Sequence, residues 1–177
     1  MSSLTVYHQS SPDVPNKLLS HGEDITVTLR EVGVGFERWR VDASVQPGLE
    51  RDEVLVALGA QLDGLMSERG YGGVEVVSQG QIRTYQSEPQ AEVPEELCAA
   101  EAQGHLLVAG RGLFNLHIGE YVFAVLCEKN DLLSIPAGMR YWFDSGEYPH
   151  LIALRLGPQL AEPTGDQIAG RFPRLDC

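Results

Sequence analysis

Apolar positions along the chain change their period near Gly72, and the change divides it into an early part with helical spacing and a later part with strand spacing. Ile25, Leu29 and Val32 recur at helical intervals ahead of Gly33, which predicts a helix over Glu23 to Val32, although the β-branched run Ile25-Thr26-Val27-Thr28 also suits a strand. A second helix is expected from Arg51 to Arg69. Val54, Leu58, Leu62, Leu65 and Met66 form one apolar stripe there, acids lie in the first turn, and Gly70 can end it. Such a stripe packs a core.

Beyond Gly72 the pattern becomes short apolar stretches separated by Gly, Pro, Asn and Asp. Val74–Val77, Ile82–Tyr85, Leu106–Ala109, Leu113–Ile118, Tyr121–Cys127, Leu132–Ile135, Tyr141–Phe143 and Leu151–Leu156 each read as a strand. Ile118-Gly119-Glu120 and Lys129-Asn130-Asp131 read as turns, and the spacing is that of a sandwich or jelly roll. Gln86 to Ala102, acidic and interrupted by Pro89 and Pro94, reads as a loop.

Composition narrows the partners. A chain of 177 residues supports one domain over 1–177, and no apolar run approaches the length of a bilayer span. The start, Met1-Ser2-Ser3-Leu4-Thr5, lacks the pattern of an export signal, so a cytoplasmic protein is expected. A net charge of −12, with 13 scattered Lys and Arg residues, argues against nucleic acid and anionic membrane surfaces. A small-molecule ligand or substrate is the expected partner, and a protein partner stays open. Cys98, Cys127 and Cys177 have neither disulfide nor metal spacing, and Cys127 reads as a buried thiol.

Two frames carry chemistry. Six residues separate Gln103 from Gly110, and Pro136-Ala-Gly138-Met-Arg-Tyr141 follows later. With the words Val108-Ala-Gly-Arg-Gly-Leu-Phe114, Val125-Leu-Cys-Glu-Lys-Asn-Asp131, Trp142-Phe-Asp144 and Gly165 to Asp176, these frames resemble the acireductone dioxygenase family of cupins. The resemblance runs from residue 4 to 176 and implies a mainly β fold, a cupin-type jelly-roll β-barrel with a few N-terminal helices. It also implies one iron or nickel ion on two histidines, a glutamate and a third histidine. Those positions correspond to Leu97, Ala99, Gln103 and Tyr141, none a good ligand for such an ion. A replacement site from Glu101, His105 and Cys98 does not converge, because alternation turns Cys98 away from Leu97 and Ala99. The expectation is therefore no metal and no cofactor.

If Gln103 to Val108 is a strand, Gln103, His105 and Leu107 share a face, with Tyr141 opposite them through the second motif. The expected site is catalytic at His105, Tyr141 and Gln103, with Arg155, Phe143, Trp142, Leu97 and Ala99 as substrate-binding positions. His105 corresponds to a family arginine thought to hold substrate oxygens, and an imidazole near neutrality can carry a proton. The leading expectation is that the parent oxidation has been lost in favour of metal-independent acid–base chemistry on a small oxo or enol compound, of isomerase, lyase or dehydratase type. Two alternatives stand beside it. In one the interior is packed, Gln103 and His105 satisfy each other, and the protein binds a ligand or partner without catalysis. In the other it is an acireductone dioxygenase whose metal sits in an unrecognised site. His117 and His150 are expected in structural or surface roles, and His8 and His21 outside the site.

Overall fold

In a computed structural model the described residues are 1–80, 86–89, 94–158 and 161–175. The expected strand Ile82–Tyr85 and residues Asp176 and Cys177 lie outside them. Among the described residues are eleven strands: β1 Ser3–His8, β2 Pro15–Leu19, β3 Gly35–Arg38, β4 Val74–Gly80, β5 Leu97–Ala99, β6 Gln103–Ile118, β7 Tyr121–Glu128, β8 Asp131–Ile135, β9 Arg140–Asp144, β10 His150–Leu156 and β11 Ala161–Pro163. Two α-helices, α1 Gly22–Glu31 and α2 Arg51–Arg69, precede β4. The mainly β jelly roll with N-terminal helices is thus the fold formed. No described helix is long and apolar enough to cross a membrane.

β6 belongs to both sheets. Its first half pairs with β8 and β10, and its second half pairs with β7 and β9, all antiparallel. At the junction Ile152 faces Ala109 while Ala153 faces Leu107, so Val108 is an extra residue on β6. That bulge reverses the alternation. Gln103, His105 and Leu107 face the interior before it, whereas Phe114 and Leu116 do so after it. Gly110 lies at the bend with φ of 70°, and a Cβ there would come within 2.2 Å of the His150 carbonyl oxygen. The two expected strands around this glycine are therefore one bent strand.

Three apolar layers follow from the alternation. The interior layer joins Leu107, Phe114, Leu133, Tyr141 and Ala153 with Ile25 and Leu29 of α1, which settles the helix-or-strand ambiguity of that segment. On the outer face of the β4–β10–β6 sheet, Val54, Leu58, Leu62 and Leu65 of α2 cover Leu106, Val108, Ile152 and Leu154. Each such side chain stabilises the fold by about 1.5–3 kcal/mol through removal from water. Gly70 ends α2 in the left-handed conformation at φ 74°. On the other outer face a short 3₁₀ turn at Ile168–Arg171 and Phe172 cover Tyr7, Val122 and Trp142.

Several strands depart from expectation. β5 falls inside the segment read as a loop, where it pairs with β9 and β11. β1 and β2 pair with each other, and β1 also pairs with β7.

Candidate active site

Gln103, His105 and Tyr141 meet in the interior. His105 Nε2 lies 2.9 Å from Gln103 Oε1, and the Tyr141 hydroxyl donates to that same oxygen at 3.0 Å. β6 and β9 bring them together across 38 residues of sequence. Arg155 stands opposite His105 in the β10–β6 register and pairs with Glu75 of β4 at 3.4 Å. Gln103 Nε2 and Arg155 Nε are buried and donate to no described residue. A buried donor without an acceptor carries its full desolvation cost, so these two N–H groups are where a ligand oxygen would be most strongly held.

The electrostatics correct one expectation. Burial, with a smaller contribution from the Arg155 guanidinium, pushes the His105 imidazole down to about 3. It is neutral at physiological pH and does not titrate near neutrality, so it is not an imidazolium proton carrier. Burial also holds the Tyr141 phenol above its ordinary value, against the opposing effect of Arg155 and the Gln103 hydrogen bond.

Phe143 lies 4.6 Å from Phe114 between ring centroids, and a Cβ on Gly112 would stand 2.3 Å from the Phe143 ring. The glycine is what lets that ring approach. His105, Phe114, Phe143, Ala153 and Arg155 line a cavity of about 20 Å³, enough for roughly one water molecule. Leu97 packs against the interior layer opposite Tyr141, and Ala99 is fully buried in it. Trp142 is elsewhere. Successive strand residues face opposite ways, so with Tyr141 and Phe143 inward Trp142 lies on the outer layer, 5.8 Å from the Phe172 ring. The expectation that Trp142 binds substrate is corrected accordingly.

The four positions that the resemblance assigns to a metal do not fit one. Leu97 and Ala99 offer hydrocarbon, Gln103 Oε1 is shared by His105 and Tyr141, and the Tyr141 hydroxyl is a donor to it. Among the described residues no group of three His, Cys, Asp or Glu side chains could hold an ion, and Glu101 is exposed. Cys98 and Cys127 are free thiols, and burial raises that of Cys127 well above its ordinary value.

One polar cluster escaped sequence reasoning. Glu96, fully buried, receives the Thr164 hydroxyl at 2.7 Å and pairs with His117 Nδ1 at 2.8 Å, while His117 Nε2 meets Gln9 Oε1 at 3.2 Å. His117 is thus structural, and it ties the approach to β5 to β6. His150 is exposed, His8 pairs with Glu120, and His21 precedes α1.

Comparison with known proteins bears on the reaction. A family model described as the ARD/ARD' family matches residues 4–159. The chain is 53% identical over 180 residues to acireductone dioxygenase of Pseudomonas fluorescens (strain Pf0-1), covering 99% of both. It is 51% identical, with the same coverage, to that of Pseudomonas aeruginosa (strain PAO1). In fold it is similar to acireductone dioxygenase from Bacillus anthracis with a cadmium ion in its active centre, with a TM-score of 0.67, 18% identity and coverage of 89% of this chain and 92% of that one. The expectation that the parent oxidation has been lost is corrected by these relatives, which carry the dioxygenase name at about half identity from end to end. Four side chains describe one ligand set, whereas the likeness extends over the whole chain.

Proposed function

The chain belongs to the acireductone dioxygenase family, and from that premise we propose that it is a dioxygenase acting on an acireductone, a small enediol compound, with the barrel interior as its site. The full-length identity to proteins named for that activity carries the proposal. In a family enzyme the metal supplies a centre where substrate and dioxygen meet. Leu97, Ala99, Gln103 and Tyr141 do not fit that ion, and among the described residues no other group of three His, Cys, Asp or Glu side chains could hold it.

The residues of the chain have definable parts in binding. Gln103 Nε2 and Arg155 Nε, the two unpaired interior donors, hold the substrate oxygens, with Arg155 supplying the charge-assisted contact to an enediolate. Neutral His105 orients Gln103 through its 2.9 Å contact, and Tyr141 fixes the same amide from the other side. Phe143, Phe114 and Val77 form apolar wall. A cavity of about 20 Å³ cannot contain an acireductone, so entry requires these wall side chains to move apart. We take residues 1–177 as one domain, and the free thiols Cys98 and Cys127 suit a reducing cytoplasm.

The test is the decay of acireductone absorbance in air with and without the purified protein, supplied in turn with iron and nickel. The reading requires decay that scales with protein concentration. Decay at the buffer rate under every metal condition, beside an active relative, removes it.

A further inference from the structure

A groove outside the barrel interior lies between the chain start, α1 and β3, encloses about 680 Å³, and shares no lining residue with the interior cavity. That volume suits a small molecule. Val27 and Phe36 supply apolar wall; the charged lining is Arg30, Arg38 and the Met1 ammonium against Glu23, Glu37 and Asp131, with Glu37 already paired to Arg69 and the Met1 ammonium to Glu128. Asp131 is fully buried. Its Oδ2 accepts from the Ser2 hydroxyl and from the Glu128 backbone N–H at 2.8 Å. Its Oδ1 accepts no hydrogen bond from any described residue, and Arg38 Nη1 is 3.7 Å away, too far to donate. Arg38 is 64% exposed and therefore able to swing. Arg30 makes no ion pair or side-chain hydrogen bond with any described residue.

We propose that this groove binds an α-amino acid with an apolar side chain, its ammonium donating to Asp131 Oδ1, its carboxylate held by Arg30 and Arg38, and its side chain on Val27 and Phe36. A simple anion would meet the buried carboxylate, and a simple cation would meet the guanidinium groups. A ligand carrying both charges relieves both. Because Arg38 and Asp131 stand opposite each other in the β3–β8 register, the two ligand charges must lie only a few bonds apart, as they do when both groups are carried on the Cα of an α-amino acid and do not on a long ω-amino acid. Burial holds the Asp131 carboxyl above its ordinary value even with Ser2, Arg38 and the Met1 ammonium acting on it, so an added ammonium favours the ionised form. The site is independent of the barrel reaction.

Calorimetric titration of the full chain at neutral pH, with L-leucine, L-valine and L-phenylalanine as probes, tests it. At least one should bind saturably at one per chain. For L-leucine, 4-methylpentanoate lacks the ammonium and 3-methylbutylamine lacks the carboxylate, and each analogue of a binding amino acid should bind at least about tenfold more weakly. Arg30→Ala, at an exposed position, should weaken binding by about tenfold with an unchanged melting midpoint. Asp131→Asn should do the same; if that variant unfolds, Arg30→Ala and the analogues decide. Absence of saturable binding by all three amino acids overturns the proposal, as does binding that neither Arg30→Ala nor loss of either ligand charge weakens.

Discussion

Acidification should weaken this fold through His105 in a way that one substitution can isolate. The imidazole is held at about 3 in the folded chain and returns to about 6.5 when unfolded. The folded pKa is depressed, so the contribution to stability is complete above 6.5 and is lost as pH falls toward 3. Between pH 7 and pH 4.5 the unfolded chain takes up a proton at this position that the folded chain refuses, and linkage makes the loss about 2–3 kcal/mol. Carboxylates throughout the protein also titrate in that range, so the wild type alone does not identify the group. His105→Gln removes the imidazole and leaves an amide beside Gln103. Urea unfolding at the two pH values should show the variant losing about 2–3 kcal/mol less than the wild type. Equal losses in the two proteins, or an imidazole that titrates near 6.5 by NMR in the folded chain, would refute the burial argument.

Three further outcomes follow from the packing and the site. Glu96→Ala leaves His117 and Thr164 without their buried acceptor, so urea unfolding should register a loss of about 3–5 kcal/mol, with Glu96→Gln less severe. Gly112→Ala drives a methyl group into the Phe143 ring and should cost about 1–3 kcal/mol, measured the same way, and an additional Phe143→Ala should relieve the clash component. Arg155→Ala should lower kcat/KM for acireductone by about ten- to a hundredfold with the fold intact by circular dichroism, and unchanged kinetics would move the substrate away from β10.

How much of this was legible depended on how long a pattern persisted. α2 was readable because its stripe runs from Val54 to Met66, acids open its first turn and Gly70 supplies the stop, even though the backbone departs from helical geometry at Gly59. β10 was readable because burial on both faces of the sheet gives an apolar run, Leu151 to Leu154, broken only by Arg155 before Leu156. β5 was not, since three residues in an acidic, proline-containing stretch carry too little pattern, and its strand character comes from β9 and β11. β2 was missed for another reason: Pro15, Asn16 and Lys17 are exposed at a sheet edge, where nothing selects apolar alternation. In the site, alternation alone placed Gln103 beside His105, and the same rule applied to β9 would have turned Trp142 outward. The depressed His105 pKa was hidden because it arises from burial in the interior and from Arg155, 50 positions away in sequence. Glu96 and His117 are 21 residues apart, and only the assembled sheets make them a pair.

Isotope transfer from ¹⁸O₂ to the products of acireductone in the presence of the purified protein tests the dioxygenase activity directly. A dioxygenase places both labelled atoms in product at a rate proportional to protein concentration and well above the protein-free control. Label incorporation at the control rate, under metal supplements that activate a relative run in parallel, would contradict it.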